Sequence, residues 1–483
     1  METAADPRRW KALAVLGVAY LMVVLDVSIV NVALPSIQTD LGFTPENLQW
    51  VVSGYALTFG GFLLLGGRMG DLLGRRRLFM VGLGLFFLTS LWAGLASSET
   101  MLIVARFAQG AAGAILSPSV FSIITVTFAE GAERNKALGI LGGIAGSGAA
   151  IGVLLGGVLT SYVGWEWIFF VNLPIAGAAL LLVPRYVRES RADGLAKHFD
   201  AWGAVTVTVS LMLLVYGLTQ STNNGWTSWK TIGSLVVSAL VMAVFLAIEL
   251  RSHSPLVRLG IFRRRTLSGA NVIGFLLGTM IFGIFFMLTL YMQQVLGFSA
   301  MQTGVGYLAV ALTAVVSAGL SQALVTRFSV KPVLTAGMLL LGGGLLYFTQ
   351  VSPGGSYVAD LLPGFILTGI GMGFSFVPIS IAALAGVEGP EAGLASGLIN
   401  TSQQIGGALG LAILATVATT RTENLTPAGR PPTAEALTSG FSLAFWFAAG
   451  FSVVALLTTL AVLRRQDLAR VDAEEVQPVP AAV

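Results

Sequence analysis

The chain has 483 residues, 55% of them hydrophobic and only 10% charged, with a mean hydropathy of +0.83. A soluble domain carries about 25% charged residues, so this chain lacks a polar coat and belongs in a membrane. The balance of +4 sits in short loops between apolar runs, which argues against a nucleic-acid partner, and the lack of cysteine excludes disulfide and thiol chemistry.

Apolar stretches long enough to span a bilayer, about 17–25 residues each, predict fourteen transmembrane helices. In chain order they centre near Val23, Gly60, Phe87, Ala112, Ala149, Ile175, Ser210, Leu240, Thr279, Ala314, Gly342, Gly371, Ile405 and Ser452. With both termini cytoplasmic, the inner segments hold all of the 27 Lys and Arg residues except Lys230, Arg421, Arg430 and Arg106. A wrong helix count would invert every later loop and destroy this asymmetry. The first apolar run exceeds a signal-peptide core and continues into a helix, so no cleavable leader is expected. His198 and His253 both fall in polar loops, which excludes a histidine metal site within the membrane. The prediction is an all-α, multi-pass protein of the cell (inner) membrane.

The first helix carries Asp26, nine residues before Pro35 and therefore roughly 14 Å from the outer end at 1.5 Å per residue. Arg106, in the fourth helix, lies roughly 8 Å deep by the same rise. Charges at such depth cost at least about 2.5–3.5 kcal/mol and normally face a cavity or a partner. The difference in depth is within reach of an arginine side chain, which predicts a direct or water-bridged pair. A carboxyl in a cavity that changes sides is suited to carry a proton, since burial favours its neutral form and the guanidinium its charged form. A purely structural pin fits the same placement. Arg106, Gln109, Gly110 and Gly113 share one helical face.

Between the second and third helices runs Gly67-Arg68-Met69-Gly70-Asp71-Leu72-Leu73-Gly74-Arg75-Arg76-Arg77. Glycine lets two helix ends turn sharply, and Asp71 is placed to meet a helix N-terminus or an arginine. As a loop it obeys the positive-inside rule. The fifth helix carries Gly148, Gly152 and Gly156 at four-residue spacing with Gly157 beside them, a stripe that lets two membrane helices pack closely.

These motifs resemble the major facilitator superfamily. Gly67, Asp71, Gly74, Arg75 and Arg76 match its G-x-x-x-D-x-x-G-R-[RK] loop position for position. Leu25 to Pro35 resembles the first-helix motif of its fourteen-helix drug:proton antiporters, and Arg106-Phe107-Ala108-Gln109-Gly110 their R-x-x-Q-G. The fifth-helix glycines resemble the antiporter motif, with Val153 where a proline is usual. Gly164 to Phe170 also fits, with Glu166 where a basic residue is common. Phe199 to Gly203, Tyr291 to Ser299 and Gly393 to Gly410 extend the match over nearly the whole chain. The resemblance implies that Asp26 is a proton-coupling acid assisted by Arg106. It implies further that the fifth-helix motif is a hinge-like contact with the other half of the molecule.

The helices group as six, two and six. Residues 1–183 form the first bundle, 184–265 a linker with two inserted helices, 266–465 the second bundle and 466–483 a cytoplasmic tail. Transporters built this way hold substrate near mid-membrane between the halves. Asn31, Tyr55, Gln109, Asn400, Gln403 and Gln404 are candidate cavity residues, although each residue type more often serves helix–helix hydrogen bonding.

No G-x-x-x-x-G-K-[ST] occurs, which excludes a nucleotide-driven pump of that type, and no catalytic cluster marks an enzyme. The expectation is a monomeric, proton-driven exporter of small lipophilic compounds that needs no cofactor beyond the proton gradient. A neutral or singly charged substrate is expected, because only one acid lies deep. The alternative is a carrier of lipid or of a dedicated endogenous metabolite on the same fold, with a passive or non-transporting receptor more distant.

Overall fold

The computed structural model describes residues 8–128, 132–191, 200–252, 255, 259–384, 389–427 and 430–463. Within these, the Asp71 side chain lies outside the described set. So do the tail at 466–483 and the linker stretch at 192–199 that includes His198, together with His253.

Among the described residues there is no strand. In the first half the long helices are α1 (Arg9–Leu41), α2 (Trp50–Leu73), α3 (Arg75–Gly94), α4 (Glu99–Thr127), α5 (Ala132–Tyr162) and α6 (Asn172–Tyr186). Next along the chain come α7 (Ala201–Asn224) and α8 (Trp229–Arg251), the pair expected as an insert. The second half has α9 (Arg265–Leu290), α10 (Leu308–Phe328), α11 (Val330–Phe348), α12 (Leu362–Leu384), α13 (Gly389–Leu425) and α14 (Ala434–Val462). Each centre expected from the sequence falls inside one of these helices. Eleven candidate spans among the described residues are long and apolar enough to cross a membrane, which makes this an integral multi-pass membrane protein. Large apolar side chains such as Leu181, Val316 and Trp229 face outward, as a lipid solvent requires.

Within the first half α1 packs on α5, and α4 holds α2 and α3. The second half is built around α9 on α13 and α12 on both α10 and α11. The halves meet at the end of the molecule where α1 finishes. There the Gln293 amide donates to the Val32 carbonyl at 2.8 Å, and Gln294 donates to Gln38 at 2.9 Å. The Met301 backbone N–H donates to Ser161 Oγ at 3.0 Å. Apolar residues of α1, Val32, Leu34 and Ile37 among them, belong to the same continuous core as the second half.

At the opposite end Gly74 separates α2 from α3 with φ +110°, a backbone that a side-chain-bearing residue rarely adopts. Being glycine, it cannot cap α3 itself. Glu189, beyond α6, does so instead: its carboxylate accepts from the backbone N–H of Arg76 and of Arg77, both at 3.1 Å. Their guanidinium groups lie at 3.9 and 3.8 Å, and the Arg75 N–H donates to the Ser190 carbonyl at 3.0 Å. An anion at a helix N-terminus meets both unpaired donors and the positive end of the dipole. Glu189→Ala is therefore expected to destabilise the protein by about 1 kcal/mol, the usual cost of a lost helix cap. Thermal melting in detergent against Glu189→Gln, which keeps an acceptor, reads this. Equal melting of the alanine variant and wild type would remove the capping role.

Candidate functional site

Asp26 and Arg106 meet directly, with Arg106 Nη1 2.6 Å from Asp26 Oδ2 and both side chains fully buried. The depth match seen along the sequence becomes an ion pair because α4 crosses α1 at that level. Around the pair stands a closed polar cage inside the first half. Gln109, one turn further along α4, donates to Asp26 Oδ1 at 2.8 Å and accepts from Arg106 Nη1 at 2.6 Å. Asn172 of α6 donates to the same Asp26 Oδ1 at 3.0 Å. Ser90 of α3 accepts from Gln109 at 2.9 Å and from Asn172 at 3.3 Å. Arg106 Nε donates to the Val51 carbonyl of α2 at 2.8 Å. The guanidinium also lies over the Tyr55 ring, 4.4 Å from its centroid, and 5.6 Å from that of Phe169. One carboxylate thus ties α1 to α4 and α6, and one guanidinium ties α4 back to α2.

Both oxygens of Asp26 accept from N–H groups, so the cage is built for the charged carboxylate. Among the described residues, Arg106 Nη2, Tyr55 OH and Asn172 Oδ1 are buried beside it and meet no hydrogen-bonding protein group. Ser90 and Asn172 escape sequence reasoning. Asn172 left a faint signal, a lone amide within Phe169-Phe170-Val171-Asn172-Leu173-Pro174, whereas Ser90 is one hydroxyl among many.

The candidate cavity residues do not converge on one chamber. Gln109 belongs to the cage, and Tyr55 covers it. Asn31 donates to Val27 O in its own helix at 3.0 Å. Gln404 sits where α13 crosses α2, its Cβ 2.9 Å from the point a Cβ on Gly60 would occupy. Gln403 borders Gly274 of α9, with its Cγ 3.5 Å from the corresponding point, and Asn400 is exposed. In the second half a narrow apolar crevice, without room for a water molecule, lies among Ile284, Phe285, Tyr307, Phe365 and Met372.

The fifth-helix glycines divide between two jobs. Gly148, Gly152 and Gly156 face α1, where Val24, Ser28 and Ile29 fill the space their side chains would need. Gly157 alone of the four faces the second half, where a Cβ on it would lie 2.9 Å from the Ala300 carbonyl oxygen. Val153, one turn earlier, has its carbonyl against Gly304. In the signature loop Gly67 rests on Pro118 and Gly70 near Ser119 of α4, while Gly74, Arg75 and Arg76 meet the Glu189 segment. These described contacts of the loop are made inside the first half.

Comparison with known proteins agrees with this architecture. The family model of the Major Facilitator Superfamily matches residues 16–411. The puromycin resistance protein pur8 of Streptomyces alboniger is 39% identical, over 94% of this chain and 91% of its own. The cephamycin export protein CmcT of Amycolatopsis lactamdurans is 39% identical, over 84% of each chain. The tetracenomycin C resistance and export protein of Streptomyces glaucescens is 34% identical, over 87% of this chain and 78% of its own. Among solved structures, a bacterial homologue of the human lysosomal transporter Spinster, inward-facing and occupied, shares the fold. It matches with a TM-score of 0.64 at 16% identity, covering 99% of this chain and 100% of that one. With its helical halves, its signature loop and these relatives, the chain belongs to the major facilitator superfamily and is a transporter, not an enzyme.

Proposed function

We propose that this protein is a proton-coupled exporter of lipophilic or amphipathic small molecules, working as a monomer in the cell membrane by alternating access. The observation that carries the reading is the sealed Asp26–Arg106 cage. A proton on Asp26 converts an accepting oxygen into a donor, and every neighbour that bonds the carboxylate does so through N–H. The bonds from Arg106, Gln109 and Asn172 then weaken together, and α1 is released from α4 and α6. Charge on one atom is thereby coupled to the packing of a helix that also touches the second half through Val32 and Gln38.

Fourteen crossings fit the helix lengths. Besides the eleven candidate spans, α2, α5 and α7 have 24, 31 and 24 residues, enough for a hydrocarbon core of about 30 Å. The Lys and Arg asymmetry supports a cytoplasmic side for both termini and for Gly74. The names of the relatives, which speak of antibiotic resistance and export, favour drug-like cargo for this chain.

The test is ethidium efflux from cells expressing wild type or Asp26→Asn, with and without a protonophore. Wild-type efflux is expected to collapse with the protonophore, and Asp26→Asn to insert normally yet fall to that collapsed level. Normal transport by Asp26→Asn would displace the coupling site. Absence of wild-type efflux would remove the drug reading in favour of lipid or a dedicated metabolite.

A further inference from the structure

Pro35 lies inside α1, which runs unbroken from Arg9 to Leu41. A proline has no N–H, so the hydrogen-bond ladder of α1 lacks its rung to the Asn31 carbonyl. In lipid such a gap is tolerated where neighbouring groups supply donors. One residue further on, the Val32 carbonyl accepts from the Gln293 amide of the second half at 2.8 Å. Val32 itself is wholly buried. A main-chain carbonyl inside a helix cannot swing aside as a side chain can.

The donor is held as firmly as the acceptor. Gln293 stands in the π-turn Tyr291–Val295 that follows α9, where the Leu296 N–H reaches back to the Tyr291 carbonyl at 3.1 Å. Turns of this kind occur often at functional sites. The Tyr291 hydroxyl donates to the Ser352 carbonyl at 2.7 Å, and the Phe298 N–H to the Met292 carbonyl at 2.9 Å. Two further hydrogen bonds join the halves at this end, and they differ in setting. Gln294 with Gln38 and Met301 with Ser161 are exposed, so water competes for both, whereas the Gln293 bond is partly buried. Val32 follows Asp26 by six residues, about one and two-thirds turns of helix. One rigid element therefore presents Asp26 to the cage and, on a different face, the Val32 carbonyl to the second half.

We propose that Gln293 is a positioning residue, a clasp on α1 that sets how often the two halves part at the end where α1 finishes. The proposal rests on the alternating-access reading and names one bond that is made in this state and broken in the other. Parting breaks it outright, because neither the π-turn nor the helix carbonyl can follow its partner. A hydrogen bond of this kind shifts such an equilibrium about fivefold.

The chain has no cysteine, so an engineered pair can be spin-labelled without background. Leu95, just beyond α3, and Val358, just before α12, are exposed at this end, one on each half. With both replaced by cysteine and labelled, the full-length protein is expected to show a shorter and a longer distance whose shares change between pH 5 and pH 8. Gln293→Leu is expected to raise the ratio of longer to shorter about fivefold while leaving both distances where they were. Gln293→Lys, which keeps a donor, is expected to bring the ratio back toward that of wild type. An unchanged ratio in Gln293→Leu, with wild type still responding to pH, overturns the clasp and leaves alternating access in place. Gln293→Lys behaving as Gln293→Leu overturns it too, because shape and not the donor is then responsible. A single distance at both pH values in every variant removes the clasp together with proton-driven alternation.

Discussion

Arg106→Ala is expected to cost the protein about 3–5 kcal/mol, the penalty for removing one member of a buried ion pair and leaving the other charge unpaired. Asp26 would keep only the amides of Gln109 and Asn172, in a cage from which both side chains are wholly excluded from solvent. The lost contacts over Tyr55 and Phe169 add a void to the unpaired charge. The informative comparison is the neutral double variant Asp26→Asn with Arg106→Gln, which removes both charges and roughly keeps the volume. Because replacing both members of a buried pair is often nearly neutral, the double variant should recover most of the stability lost by Arg106→Ala. Thermal melting in detergent measures all three. If the double variant melts as low as Arg106→Ala, the loss comes from shape and the pairing carries little of it. Efflux should be absent from both, since stability and coupling separate at this site.

The second large effect is expected at Gly278, far from any charge. There α9 and α13 touch backbone to backbone. A Cβ on Gly278 would collide with the Gln403 carbonyl oxygen and stand 2.8 Å from its carbon, and one on Gly406 would lie 2.7 Å from the Phe275 carbonyl carbon. Thr279 Oγ1 adds a 2.9 Å bond to the Gly406 carbonyl across the same contact. Backbone cannot turn aside as a side-chain tip can, so Gly278→Val must force two helices apart. Overpacking of this kind costs roughly 1–3 kcal/mol or more, and small residues at four-residue spacing are what permits such close approach in lipid. Gly343→Val on α11 is the control, because a Cβ there meets nothing within 4 Å. Melting and monodispersity should drop sharply for Gly278→Val and hold for Gly343→Val. Equal behaviour would mean that α9 and α13 tolerate separation.

Much of this architecture is legible along the chain, for a physical reason. Hydropathy and charge act on each segment independently of the others, so the helix positions follow from the bilayer as solvent. Asp26 and Arg106 stand out because a deep charge is costly wherever its helix points. Their depths along α1 and α4 were enough to make them partners. The turn at Gly74 is equally local, since a positive φ is decided within a few residues.

What the chain does not display is the rotation of each helix about its axis and its choice of neighbour. Asn172 and Ser90 enter the cage only because α6 and α3 turn those faces toward Asp26. Gly148, Gly152 and Gly156 look equivalent to Gly157 by spacing, yet about a third of a turn sends Gly157 to the other half. Glu189 reads as a solvated linker charge until the fold brings it to the start of α3, more than a hundred residues away in the chain. What α7 covers depends wholly on where it lies, against Gly61 and Ala408 at once. By itself the sequence determined the solvent, the helices and the two deep charges, each governed by the transfer of one segment from water to lipid. Only the tertiary structure decided the cage, the glycine contacts and the place of α7, because these depend on which faces of separate helices meet.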